Sequence, residues 1–162
     1  MGDHTESVRV EYDPTVISYE ALLQHFWEGH DPTEGTNYRQ YMAAVFFHDE
    51  EQQQRAEASR NALAASVGEK VRTRILPVKA FTDAEDYHQK YHLRQHRELM
   101  SEFRRMYPRD ADFKHSTAAS RVNGYVGGFG SAAALASEIA SYGLSEGAQN
   151  TLLSRVRRFP GG

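Results

Sequence analysis

Apolar positions alternate at the start of the chain and then change period. Val8, Val10 and Tyr12 fall on every second position, with Arg9 and Glu11 between them. That is the pattern of a half-buried strand. Tyr19, Leu22, Leu23 and Phe26 follow helical spacing, which predicts a helix opening at Ser18, a residue suited to the N-cap. Asp31-Pro32-Thr33-Glu34-Gly35-Thr36 is turn-rich. Residues 40–47 are apolar on both faces, predicting a central strand covered on both sides. Asp49, Glu50, Glu51 and Gln52 form an acidic first turn suited to a helix dipole. The helix that follows, to about Ser66, is mostly polar with a thin stripe through Ala56, Leu63 and Ala64, so it belongs on the surface. Gly68 ends it. Val71, Thr73 and Ile75 alternate as a third strand, closed by Pro77.

The second half reads as helical. Phe81-Thr82-Asp83 leads into a helix, capped by Thr82 or Asp83, that contains Tyr87, His88 and Tyr91. It continues through Leu93, Leu99, Met100 and Phe103 towards Tyr107-Pro108. Residues 108–114 read as a linker. Ser116 opens a short helix, and Gly124, Gly127, Gly128 and Gly130 punctuate a flexible turn. Residues 131–142 are Ala-rich and helical, with Gly143 at the C′ position. Ser145 caps a last helix through Leu152, Leu153 and Val156, whose terminal Arg155, Arg157 and Arg158 suit the negative helix pole. The predicted fold class is α+β: a sheet-and-helix core over 1–107, then a linker and small helical extension over 108–162.

Composition narrows the function classes. The 162 residues carry a net charge of −3, which offers no field for nucleic acid or an acidic membrane. No run approaches the ~18 consecutive apolar residues of a spanning helix. The polar start Met1-Gly2-Asp3-His4 lacks the regions of a secretory signal, so the cytoplasm is the default location. Zero cysteines excludes disulfides and thiolate metal sites within these residues.

Few residues carry chemistry. Glu6, just before the first predicted strand, could hold an acid at a site mouth, although such a carboxylate is ordinarily solvated. Tyr41 on the second strand reads as a core aromatic, and Phe26 and Trp27 as packing residues. His88, His92 and His96 recur every four residues and would share one helix face. Zinc wants a fourth ligand that Gln89 and Lys90 do not supply, so no metal site is assigned. His30-Asp31 could form a catalytic dyad, but no serine nucleophile accompanies it, and a loop-closing hydrogen bond is favoured. The glycines of 124–130 lack a following Gly-Lys-Ser/Thr, which leaves a phosphate role weak. No cofactor is assigned.

Several motifs in one order resemble the peptide methionine sulfoxide reductase A family. They are Gly2-Asp3-His4-Thr5-Glu6, Tyr12-Asp13-Pro14, Ile17-Ser18-Tyr19-Glu20, Phe26-Trp27 with His30-Asp31-Pro32, Gln40-Tyr41, and Ala84-Glu85-Asp86-Tyr87-His88-Gln89-Lys90-Tyr91. The Gly-Asp-His-Thr-Glu form, the short loop after Pro32 and the segment 116–130 are similar to an animal-type branch. The resemblance implies that family's two-layer core, without its first strand and helix, and a C-terminal helical appendage. It implies that Glu6 gives a proton to the sulfoxide oxygen, a role favoured by burial beside an aromatic wall. Tyr41 would point its hydroxyl at the same oxygen. The implied substrates are oxidised methionine in proteins or free methionine sulfoxide, and the implied reductant is thioredoxin. An Asp usual in the loop before Gln40-Tyr41 is not evident in the short stretch 33–39.

The family's nucleophile is a cysteine in a Gly-Cys-Phe-Trp turn, and this sequence has none. A thiolate attacks the sulfoxide sulfur and becomes a sulfenic acid, which a second thiol converts to a disulfide. Serine offers neither step. Three readings follow. The favoured one is a truncated methionine-S-sulfoxide reductase, with Met1 internal to a longer chain and no turnover by the 162 residues as written. The others are a non-catalytic module that binds methionine or its sulfoxide through Glu6 and Tyr41, and a metal protein using His88, His92 and His96.

Overall fold

The computed structural model describes residues 4–158. The fold is α+β and its contacts divide it into two compact units, Met1–Phe81 and Thr82–Gly162. In the first unit, helix α1 (Tyr19–Glu28) is capped by the Ser18 hydroxyl, which accepts the Ala21 N–H at 3.1 Å. A 3-10 turn (Arg39–Tyr41) leads to strand β1 (Ala44–Phe47). Helix α2 (Glu50–Val67) starts where Asp49 accepts the Gln52 N–H at 2.8 Å. It stops at Gly68, whose left-handed φ of 70° closes the last turn and suits a residue without Cβ. Strand β2 (Arg74–Pro77) lies parallel to β1, with Val45 opposite Ile75. Helix α2 packs on both strands and on α1. As its polar sequence predicts, it buries only Ala56 fully.

Three sequence expectations give way here. Val8, Val10 and Tyr12 form no strand, and Val8 is 89% exposed. Among the described residues no ladder satisfies their backbone, and an alternating pattern without a partner strand stays irregular. The doubly covered strand expected over 40–47 shrinks to Ala44–Phe47, half-buried throughout, because β2 is its one partner among the described residues. The third strand starts at Arg74 rather than Val71.

Asp13-Pro14-Thr15 and Asp31-Pro32-Thr33 make the same turn. In each, the aspartate Oδ1 accepts the threonine N–H at 2.8 Å and its hydroxyl at 2.7 Å. These hydrogen bonds hold both carboxyls below the usual range, the threonine hydroxyl acting most strongly.

The second unit holds the larger core. It comprises α3 (Tyr91–Arg94), α4 (Arg97–Met106), α5 (Asp110–His115), α6 (Thr117–Val126), α7 (Ala132–Glu138) and α8 (Glu146–Arg158). Leu93, Leu99, Phe103, Phe113, Val122, Leu135 and Leu152 are fully buried in one cluster. The helix expected from Thr82 onward begins only at Tyr91. Residues 86–90 are turns, and Lys90 sits at φ 54°, which interrupts a right-handed helix. Part of the expected linker is α5, because Phe113, at 1% exposure, reaches the core and stacks edge-on against Phe103. Helices on both sides of Pro108 therefore share one apolar cluster. Ser145 caps as the sequence predicts, and Ser116 and Ser131 cap the helices that follow them.

Glu138 is the polar centre of this unit. Its carboxylate accepts Tyr125 Oη and Arg121 Nη1, each at 2.5 Å. Burial and this hydrogen bond push the Tyr125 phenol up to about 12. Burial also raises the Glu138 carboxyl, but the Tyr125 hydroxyl and the Arg121 guanidinium outweigh it and leave the group below its ordinary value.

Two outcomes follow for this unit. Phe103→Ala should cost about 3–5 kcal/mol in urea unfolding, the range for an emptied aromatic core position. A carboxyl held low in the folded state stabilises above its unfolded pKa and loses that effect as pH falls through the lowered value. The stability gap between the native chain and Glu138→Gln should therefore be full at pH 7 and close progressively below the ordinary glutamate value of 4.5. Urea midpoints across pH 3–7 measure it, with the pH range set by that linkage.

Candidate active site

Three hydrogen bonds tie the start of the described chain to the turn before β1. The Glu6 N–H donates to the Gln40 carbonyl at 3.0 Å, and the Thr5 hydroxyl donates to the Arg39 carbonyl at 3.1 Å. In return, the Gln40 side-chain amide donates to Glu6 Oε1 at 2.7 Å. The Glu6 carboxylate is thereby fixed to the residue next to Tyr41, across 34 positions of sequence. Tyr41 lies in the 3-10 turn rather than on a strand, its N–H bonded to the Tyr38 carbonyl at 3.2 Å. It is 64% exposed, so it is not the core aromatic its sequence position predicts. Glu6 is exposed as well. The described residues do not supply the burial expected around the acid.

The unit is also pinned by His30. Its Nδ1–H donates to the Phe26 carbonyl at 2.8 Å, since a carbonyl can only accept. In the neutral ring, Nε2 then accepts the hydroxyl of Thr73 at 2.9 Å. Asp31 takes no part, because its oxygen is engaged by Thr33. His30-Asp31 is accordingly not a dyad. The histidine does close the loop, through Phe26 and Thr73 rather than through its neighbour.

Phe26, Trp27 and His30 pack as one aromatic group. Ring centroids lie 5.0 Å apart for Phe26–Trp27 and 4.6 Å for Phe26–His30, and Trp27 stacks on His30 at 5.9 Å. The Trp27 indole N–H donates to Ser59 Oγ of α2 at 2.7 Å. Trp27 also lines an open groove of about 430 Å³ between α1 and α2, with Gln24, Ser59 and Leu63.

The histidines of the second unit do not share a face. The left-handed Lys90 separates His88 from His92, and His96 is the N-cap of a new helix. Among the described residues, no three of His, Cys, Asp or Glu are grouped to hold a metal. Gly128 and Gly130, both at positive φ, form the turn expected of them.

Gln40 as the anchor of Glu6, and Thr73 and Ser59 as side-chain partners of the aromatic group, were not legible in the sequence. A glutamine beside Tyr41 gives a weak signal. Nothing local pairs it with a residue 34 positions away.

Comparison with known proteins supplies the context for this geometry. Residues 1–122 match the family described as peptide methionine sulfoxide reductase. Residues 109–151 match the helical domain of selenoprotein methionine sulfoxide reductase A. The chain is 39% identical over 147 residues to a peptide methionine sulfoxide reductase of Drosophila melanogaster, covering 90% of this chain and 58% of that one. It is 46% identical over 102 residues to the reductase of Streptomyces griseus, covering 56% and 46%. For the A1 enzyme of Arabidopsis thaliana it is 43% identical over 94 residues, covering 55% and 46%. The chain thus spans about half the length of these relatives.

Thr73 is 3% exposed, so Thr73→Val should strand His30 Nε2 and cost about 1–3 kcal/mol. The single tryptophan, Trp27, reports this unit alone, and urea unfolding followed by its fluorescence checks the loss.

Proposed function

This chain belongs to the peptide methionine sulfoxide reductase family, and on that premise we propose that it carries the acid and oxygen-binding side of a methionine-S-sulfoxide reduction site. The observation that carries the reading is the reciprocal bonding of Glu6 and Gln40 beside Tyr41. It ties the residue at the family's proton-donor position to the sequence neighbour of the residue at its oxygen-ligand position. Glu6 donates its proton to the sulfoxide oxygen, and Tyr41 hydrogen-bonds that oxygen.

The 162 residues hold no cysteine, so the nucleophile is a thiol outside them. That thiolate attacks the sulfoxide sulfur. The oxygen passes to the attacking sulfur with the proton from Glu6, leaving a thioether and a sulfenic acid. A second thiol condenses with the sulfenic acid, releasing water and forming a disulfide. Thioredoxin, as the dithiol reductant, resets it. The reading places the chain in the cytoplasm, where thiols are kept reduced. Among the described residues no helix is long and apolar enough to cross a membrane.

A second reading, binding without turnover, is favoured by the same clamp, because these residues hold Glu6 in place without a thiol. It predicts that the 162-residue chain binds a methionine-sulfoxide peptide more tightly than its thioether form.

The deciding experiment joins the chain to a segment bearing Gly-Cys-Phe-Trp and measures thiol-dependent reduction of S-sulfoxides. Turnover is expected to appear. Glu6→Gln should lower kcat/KM by about 10²–10⁴-fold, the usual share of a general acid. Tyr41→Phe should cost up to about tenfold, one neutral hydrogen bond. An unchanged rate in Glu6→Gln overturns the assignment of the acid.

A further inference from the structure

Two arginines lie against the segment that carries the candidate site, and the reduction chemistry gives neither a task. Residues 70–75 read Lys70-Val71-Arg72-Thr73-Arg74-Ile75. Thr73 is buried against His30, while Arg72 and Arg74 are exposed. This is the alternation of extended chain, which turns successive side chains to opposite sides. The Arg72 N–H is bonded to the Pro32 carbonyl at 2.7 Å. Its aliphatic stem crosses Gly35, where an added Cβ would stand 2.9 Å from Arg72 Cδ. Arg74 Nη1 donates to Met42 Sδ at 3.8 Å, and Met42 follows Tyr41 directly. Both guanidinium groups are thus carried by side chains lying on the stretch 35–42, which includes Tyr38, Gln40 and Tyr41.

Among the described residues, no carboxylate oxygen forms a salt bridge with Arg72 or Arg74, whereas Arg55, Arg94, Arg109 and Arg121 each have one. Exposed Tyr38 and Tyr41 add hydroxyls to the same stretch. Glu6 is held by Gln40 rather than by an arginine.

The geometry points to a preference for methionine sulfoxide in acidic peptide segments, with Arg72 and Arg74 taking carboxylates that flank the oxidised residue. The inference rests on the reading of Glu6 and Tyr41 as the sulfoxide site, since it uses the arginines only to select among sulfoxide peptides. Arginine suits the task because its planar fork meets a carboxylate with two parallel hydrogen bonds. The chain's net charge of −3 repels acidic segments at long range. The preference must therefore come from close contacts, and added salt screens it.

The test uses the 162-residue chain and four labelled peptides. Each has a central methionine sulfoxide or methionine, flanked on both sides by Asp or by Lys. Fluorescence anisotropy gives each Kd at low and high salt. Among the sulfoxide peptides, the Asp-flanked one is expected to bind about three- to tenfold more tightly, the scale of one or two exposed ion pairs. The advantage should shrink at high salt. It should disappear or reverse in Arg72→Glu/Arg74→Glu and survive in Arg72→Lys/Arg74→Lys. Lys79→Glu, an exposed charge change away from this contact set, should leave it intact. Circular dichroism checks that each variant is folded.

Equal Kd values for the two sulfoxide peptides overturn the inference, as does an acidic preference that persists in the double glutamate variant. An absence of binding to every peptide also overturns it. Failure of the underlying site reading shows differently. Binding would then follow flanking charge while ignoring sulfoxide against thioether, and Glu6→Gln would leave it unchanged.

Discussion

His30 holds two elements of the first unit at once. One ring nitrogen closes on the Phe26 carbonyl near the end of α1, and the other meets Thr73 at the entry to β2. The geometry of the unit leans on this bridge because apolar burial there is scarce. Leu23 and Ala56 are its fully buried apolar side chains among the described residues. A buried leucine stabilises by about 1.5–3 kcal/mol and a single methylene-sized group by about 0.8 kcal/mol, so these two cannot order a unit of this size. Polar ties spaced far apart in sequence take over the work of positioning: His30 to Thr73, Trp27 to Ser59, and Glu6 to Gln40.

The same economy defines the candidate site. Glu6 stands in irregular chain, and its place is fixed by one backbone and one side-chain bond to a single residue. That ties the carboxylate to the residue next to Tyr41, and both groups stay open to water. A carboxylate exposed in this way is positioned without being desolvated, and burial, which favours a neutral acid, is not provided by these residues. Orientation and desolvation are separate contributions to general acid catalysis. These residues orient the Glu6 carboxylate without desolvating it.

The second unit works by the opposite means. Its helices interlock around Phe103, Phe113 and Leu152, and its polar cluster at Glu138 is satisfied by Tyr125 and Arg121. A carboxylate there is tolerated because both its oxygens are engaged. Such a unit has its own core, and the family comparison separates part of it, residues 109–151, as a helical domain.

What the sequence determined alone is local. The cap at Ser18, the helix starts near Asp49 and Ser116 and the stop at Gly68 were legible because each needs only the residues within one turn. The lack of cysteine, and with it of an internal thiol nucleophile, needs no structure at all. Tertiary structure decided the rest. Val8 and Val10 carry a strand pattern but stay irregular, since a ladder requires a neighbour that alternation cannot specify. Helical periodicity from Thr82 could not foresee the left-handed Lys90, and the polar look of 108–114 concealed Phe113 as a core residue. The pairing of Glu6 with Gln40 lay beyond any local pattern as well. A hydrogen bond between residues 34 positions apart exists only once the chain has been folded back upon itself.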